Sequence, residues 1–317
     1  MQREIAYDCH MSVNQDAIAP PKGITAIARG LLRSLRPKQW TKNAFVFAAL
    51  LFDGKLLKWE PVVNSLIGFA VFCLLSSAVY LINDSVDAPA DRLHPTKRNR
   101  PIARGDVPIP VAVVWAVLLA VVSLAAAFAL NPGFGIIGLL YFSSTILYTF
   151  VLKHIVIIDV LVLALGFVLR VSAGAVLVAA IRFSPWMYVC MMLLALLLGF
   201  GKRRQELVEL AGNTSTRAIL SEYSIPLLDQ IISIITGATL VAYAFYTFSA
   251  PQLPANHSMM LTIPFVIYGV FRYLYLVHVK GAGDAPDEIL LADRPLQITI
   301  VLWGLAAVLV LYVLPQG

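Results

Sequence analysis

The sequence places its densest group of acidic side chains at residues 83–92, Asn-Asp-Ser-Val-Asp-Ala-Pro-Ala-Asp-Arg. Asp84, Asp87 and Asp91 stand at i, i+3 and i+7, so a helix through this run places their carboxylates on one face, with Asn83 beside Asp87. Oxygen ligands of this kind suit Mg²⁺, which keeps several waters and usually bridges to substrate phosphates. The run therefore predicts a Mg²⁺ site formed by Asn83, Asp84, Asp87 and Asp91. The alternative is a solvated helix end.

A basic run follows the acidic one directly, over residues 92–104. Cations beside a metal-binding carboxylate cluster suit a diphosphate, because the metal and the cations share the negative charge of a leaving group. The alternative interpretation is that the charges only mark membrane topology. The residues predicted to bind the phosphates of a donor substrate in this run are Arg92, Lys97, Arg98 and Arg100.

Membrane helices must position these residues, because the composition is that of a membrane protein. Hydrophobic residues make up 59% of the 317 residues and charged residues 13%, with a mean hydropathy of +0.81. Soluble domains are about 45–50% apolar and about 25% charged. These values exclude a soluble globular enzyme, a disordered chain and a nucleic-acid-binding domain. Apolar runs and their breakers predict nine membrane helices, at 39–53, 61–87, 109–130, 133–151, 155–181, 185–209, 225–250, 258–279 and 295–314.

The basic residues predict the orientation of this bundle. Most of the 24 Lys and Arg residues precede the first predicted span or follow spans two, four, six and eight. By the positive-inside rule that side is cytoplasmic, with the N-terminus inside. The prediction is an all-α, polytopic membrane protein with nine helices around a central cavity and a polar crown at the cytoplasmic side. Residues 1–28 are predicted to be a flexible segment without a signal peptide, and 29–317 a single transmembrane domain.

Several motifs resemble those of one family. Residues 83–105 resemble the first aspartate-rich motif, NDxxDxxxD, of the UbiA superfamily of intramembrane prenyltransferases, and 148–153 its Tyr…Lys segment. The closest similarity is to the decaprenyl-phosphate phosphoribosyltransferase branch of that family. It is carried by Arg-Pro-Lys-Gln-Trp-Thr-Lys-Asn at 36–43, by 152–154 with Asp159, and by 166–170, 201–207 and 283–294.

One departure separates the two branches of the family. After helix six, where prenyl-diphosphate users carry a second aspartate-rich motif, this chain has Lys202, Arg203, Arg204 and Glu206. Cations can hold a phosphate without a metal, so the resemblance implies a lipid monophosphate acceptor held by Lys202, Arg203 and Arg204. Successive helical residues point about 100° apart, so all three cations can meet one phosphate only if the helix ends there, which Gly199 and Gly201 would permit. We expect at least two of the three cations to face the active cavity, with Glu206 positioning one of them. Lys38 and Lys42 are predicted to assist.

The resemblance implies Mg²⁺-dependent transfer of 5-phosphoribose from phosphoribosyl diphosphate to a polyprenyl phosphate, at the plasma (inner) membrane. Prenyl transfer to an aromatic acceptor and a transporter or lipid flippase are the alternatives. The sequence leaves open whether the protein forms a homo-oligomer. It also leaves open whether Arg170 and Arg272 pair helices or contact a phosphate. His154 could orient the ribose or be a bystander, and Tyr148 could contact the donor or anchor the interface. The remaining assignments are Asp84, Asp87, Asp91 and Asp159 as catalytic carboxylates, with Tyr148 and Lys153 at the donor phosphates.

Overall fold

The computed structural model describes residues 23–94, 96–180, 184–209, 218–280, 289 and 292–314. Over these residues the fold is helical, and eight helices are long and apolar enough to cross a membrane. This confirms the prediction of an all-α, polytopic membrane protein. The helices are α1 Gly23–Ser34, α2 Ala48–Phe52, α3 Trp59–Leu93, α4 Ile109–Leu130, α5 Pro132–Phe150, α6 Ile158–Leu177, α7 Pro185–Glu209, α8 Ile225–Ser249, α9 Ile263–His278 and α10 Arg294–Val308, with a π turn over Leu309–Val313.

The helix starts are encoded locally. Helices α4, α5, α8, α9 and α10 carry proline in their first turn, where a backbone N–H would have no intrahelical partner. Asn131, Ser224 and Asp293 accept hydrogen bonds from backbone N–H groups at the starts of α5, α8 and α10. These caps satisfy donors that lipid could not.

Consecutive long helices alternate in direction, so one end of the bundle collects the charged connections. We call this the polar end: α3, α5, α7 and α9 finish there, and α4, α6, α8 and α10 begin there. Ion pairs join neighbouring helices at this end, from Arg204 to Asp229 and from Arg272 to Asp293. The polar end corresponds to the predicted crown, and its cytoplasmic orientation stays a prediction.

The first predicted span, 39–53, is not a regular α-helix. It is a 3₁₀ segment, Pro37–Phe47, followed by the short α2. Trp40 donates to Ser77 Oγ on the polar half of α3 (3.1 Å), whereas Lys55 donates to the Val178 carbonyl just beyond α6 (2.6 Å). The segment therefore runs the depth of the bundle, helped by the rise of about 2.0 Å per residue in a 3₁₀ helix. The count of nine α-helical spans stays a prediction.

Close packing at glycines explains two differences between the structure and the sequence predictions. A Cβ at Gly174 would overlap the backbone of Val46, so the 3₁₀ segment lies directly on α6. The helix break that Gly199 and Gly201 would permit does not occur, since α7 continues to Glu209 as the predicted span 185–209 did; these glycines instead admit Val160 and Tyr273. Helix α1 begins at Gly23, inside the segment predicted to be flexible.

Candidate active site

Helix α3 presents the acidic run at the polar end. The helix continues past Pro89 to Leu93, so the three aspartates are helical as predicted. Asp84 and Asp91 are buried, with side chains 2% and 6% exposed. Arg100 Nη1 lies 3.1 Å from Asp84 Oδ1 and 2.7 Å from Asp91 Oδ2, and Arg36 Nη2 lies 2.5 Å from Asp84 Oδ1. Arginines from two other segments therefore neutralise the buried part of the acidic face.

Asp87 lies on the more open part of the same face. Its Oδ1 accepts from Lys153 Nζ at 2.7 Å, and its Oδ2 accepts from Asn83 Nδ2 at 3.0 Å. Lys153 comes from the connection between α5 and α6, 66 residues along the chain. The fold thus brings the predicted metal ligands together with Arg100 and Lys153 from the predicted donor site.

The acidic face fits Mg²⁺ by its chemistry. Among the described residues, no three His, Cys, Asp or Glu side chains form a ready-made metal cage, and every aspartate of the run pairs with a cation. Mg²⁺ usually takes one or two carboxylates and completes its shell with waters and substrate phosphates. Asp84, Asp87 and the Asn83 amide oxygen would supply the protein ligands of such a site.

A second charged group lies buried where α6 and α7 meet. Arg203 Nε lies 2.7 Å from Asp159 Oδ2, and Arg203 Nη1 lies 2.7 Å from Glu206 Oε2. The Tyr223 hydroxyl donates to Asp159 Oδ1 at 2.8 Å and accepts from the Ile157 N–H at 2.6 Å. Burial, reinforced by the hydrogen bond to Asp159, raises the pKa of Tyr223 to about 12. Tyr223 therefore keeps its proton and donates at neutral pH.

The three cations of the acceptor prediction diverge because α7 is unbroken. Arg203 points to α6, while Arg204 Nε lies 2.5 Å from Asp229 Oδ1 on α8. Lys202 is half-buried. The contact between Glu206 and Arg203 agrees with the expectation that Glu206 positions one of the cations. That these cations bind a lipid phosphate stays a prediction.

The other predicted site residues surround the polar end with varied exposure. Arg92 donates to the Ala103 carbonyl at 3.1 Å. Lys38, Arg98 and His154 are exposed, and Lys42, Lys97 and Tyr148 are half-buried. Their assignments to donor or acceptor stay predictions. Of the loop 283–294, residues 283–288, 290 and 291 lie outside the described residues.

Two intramembrane arginines have protein partners. Arg170 is buried and donates to Asn43 Oδ1 (2.7 Å), the Gly166 carbonyl (2.8 Å) and the Tyr141 hydroxyl (2.9 Å). It ties the 3₁₀ segment and α5 to α6, which favours helix pairing. Arg272 binds Asp293 through two nitrogens, and this hydrogen bonding lowers the pKa of Asp293.

Sequence reasoning missed Arg36, Tyr223 and Asp229 as site residues. Arg36 is the first residue of the 36–43 motif. Its backbone before Pro37 is left-handed (φ 54°), a strained conformation that the sequence does not reveal. Tyr223 and Asp229 carry no local pattern. Their contacts with Asp159 and Arg204 arise only when α6, α7 and α8 pack together.

Comparisons with known proteins agree with this architecture. The profile of the UbiA prenyltransferase family matches residues 44–287. Decaprenyl-phosphate phosphoribosyltransferase of Corynebacterium glutamicum is 35% identical, covering 94% of this chain and 90% of the relative, and that of Mycolicibacterium smegmatis is 37% identical, covering 93% and 95%. The solved structure of a UbiA homolog from Archaeoglobus fulgidus bound to DMAPP and Mg²⁺ superposes with a TM-score of 0.68 over 90% of this chain and all of that one, at 19% identity, which supports the fold alone. The chain therefore belongs to the UbiA prenyltransferase family.

Proposed function

We propose that this protein is a Mg²⁺-dependent phosphoribosyltransferase that acts on a decaprenyl-type polyprenyl phosphate. A phosphate oxygen of the lipid attacks C1 of the ribose in 5-phosphoribosyl 1-diphosphate, the bond from C1 to the diphosphate oxygen breaks, and diphosphate leaves. The prenyl C–O bond stays intact. The observation that carries this proposal is the similarity to relatives of that name over nine-tenths or more of both chains.

The donor half of the site is the acidic face of α3 with its cations. Mg²⁺ held by Asp84, Asp87 and Asn83 would supply positive charge to the departing diphosphate. Asp91 positions Arg100 in this scheme, since the two are 2.7 Å apart. Arg100 and Lys153, which bind aspartates in the described structure, are then available to the donor phosphates. Arg92, Lys97, Arg98 and Tyr148 complete this half as proposed phosphate contacts.

The acceptor half is the polar end of α7. A lipid phosphate is an anion near pH 7, so its oxygen attacks without a strong general base. Lys202, half-buried at the polar end of α7, is the leading proposed contact, with Lys38 and Lys42. Arg203 and Arg204 bind carboxylates and complete the charge of this half. Asp159 acts in this scheme through Arg203, because its side chain is fully buried.

The proposal also covers the membrane that holds the protein and the orientation of the protein in it. Multiple apolar helices place the chain in a membrane, and the lysine and arginine bias supports a cytoplasmic polar end in the plasma (inner) membrane. A water-soluble donor reaches this end from the cytoplasm, while the lipid acceptor enters from the bilayer. The product suits the synthesis of cell-wall precursors.

Detergent-purified protein tests the proposal with two substrate pairs. Radiolabelled phosphoribosyl diphosphate with decaprenyl phosphate should give lipid-soluble, acid-labile label that depends on Mg²⁺ and disappears reversibly with EDTA. Prenyl diphosphate with an aromatic acid should release no diphosphate. Turnover of the second pair alone would instead support prenyl transfer. Asp106→Asn is a matched control for changes in the acidic run, since the ion pair of Asp106 in the described part of the chain is with nearby Arg104, whose side chain is 49% exposed.

A further inference from the structure

The connection between α5 and α6, residues 151–157, carries Lys153 to the acidic face and ends in an unusual backbone conformation. Ile157 has φ 70° and ψ −45°. A β-branched residue rarely adopts a positive φ, because its side chain collides with the backbone there. Such strain persists only where surrounding contacts hold it, so a neighbouring group must fix Ile157.

Tyr223 is that group. Its hydroxyl accepts the Ile157 N–H at 2.6 Å and donates to Asp159 Oδ1 at 2.8 Å. The side chain is buried and comes from the connection between α7 and α8. Asp159, two residues beyond Ile157, is fixed in turn by Arg203. One hydroxyl therefore joins the strained turn to the buried ion pair across 66 residues of chain.

The turn at Ile157 directly follows the segment that carries Lys153. Lys153 lies in the short 3₁₀ segment Leu152–His154, just before the turn, and its Nζ reaches Asp87 Oδ1 at 2.7 Å. A salt bridge from a connection to a distant helix is lost if the connection relaxes, because a long side chain must be held in one geometry. We propose that Tyr223 is a positioning residue, whose hydroxyl holds the strained turn at Ile157 and so presents Lys153 to the acidic face. The kinetic part of this proposal rests on the proposed function.

A first experiment reads the connection directly and needs no substrate. A spin label at Ile155→Cys, an exposed position, with Cys9, Cys73 and Cys190 replaced by Ser, reports the mobility of the connection. Tyr223→Phe should make the label clearly more mobile. Tyr246→Phe is the matched control, because Tyr246 is fully buried and its hydroxyl has no hydrogen-bond partner among the described residues. Equal spectra for Tyr223→Phe and wild type would overturn the proposal, even if the proposed reaction also failed.

A second experiment uses strain relief to separate positioning from general stability. Glycine adopts a positive φ without steric penalty, so Ile157→Gly should recover part of the rigidity lost in Tyr223→Phe. Recovery would also rule out a mere folding defect in the Tyr223 variant. No recovery in the double variant would contradict a role for Tyr223 in holding the turn.

Kinetic measurements then test whether Tyr223 acts through Lys153. Tyr223→Phe should lower kcat/KM for phosphoribosyl diphosphate by about tenfold, the loss expected for a hydrogen bond to a charged group, and should change the KM for polyprenyl phosphate by a smaller factor. Lys153→Met should show the same preference, and the double variant should be little worse than either single one. Independent, multiplying losses would show that Tyr223 does not act through Lys153. Wild type without phosphoribosyl transfer would refute the proposed function and leave the spin-label result standing.

Discussion

Replacing Arg203 by Met tests whether this buried cation stabilises the fold through its ion pair with Asp159. Arg203 is 4% exposed and Asp159 is fully buried, so the variant leaves a buried carboxylate without its cation. Breaking a buried pair in this way costs about 3–5 kcal/mol. Its neighbour gives a matched control: Arg204 pairs with Asp229, whose side chain is 38% exposed, and pairs of that kind contribute about 0–1 kcal/mol.

The two arginine variants should therefore differ in unfolding free energy by about 2–5 kcal/mol. Denaturant unfolding in detergent measures this difference, with the reactivity of the buried Cys73 as the signal in a background where Cys9 and the half-buried Cys190 are replaced by Ser. Asp159→Asn combined with Arg203→Met should be less destabilised than the sum of the two single variants, because the second change removes the uncompensated partner. Equal stability of the Arg203 and Arg204 variants would refute the structural role of this pair.

Three further predictions concern the metal, the acceptor and the topology. Asp84→Asn should abolish turnover at saturating Mg²⁺ with an intact detergent-solubilised fold, whereas Asp106→Asn should stay near wild type; activity in the Asp84 variant would refute the metal assignment. Lys202→Ala should raise the KM for polyprenyl phosphate roughly tenfold, as for one lost charge-assisted contact, with little change in the KM for phosphoribosyl diphosphate. Steady-state kinetics with each substrate varied in turn measure this, and a larger effect on phosphoribosyl diphosphate would contradict the acceptor assignment. A thiol label at Lys97 should react only from the cytoplasm and one at Asn256 only from outside, and labelling of both from one side would contradict the topology.

The sequence predicted what depends on local pattern. Apolar runs bounded by prolines located the long helices, and the i, i+3, i+7 spacing placed Asp84, Asp87 and Asp91 on one helix. These features follow from helix geometry and the absence of water in the bilayer.

Features that depend on packing between distant segments were not predictable. The 3₁₀ segment over Pro37–Phe47 forms where Gly174 lets its backbone approach α6. Helix α7 continues through Gly199 and Gly201, which let Val160 and Tyr273 approach closely. The residues next to these glycines in sequence do not reveal which distant segment packs against them.

The fate of the lipid's own ester bond tests the proposed reaction most directly. Polyprenyl phosphate labelled with ¹⁸O at the oxygen that bridges the prenyl carbon and phosphorus can be incubated with phosphoribosyl diphosphate, Mg²⁺ and the purified protein, and the lipid product examined by mass spectrometry. The account predicts a phosphoribosylated lipid that retains the bridging ¹⁸O, formed in step with diphosphate release. A prenyl chain found on another acceptor, with the ¹⁸O left behind on phosphate, would contradict it.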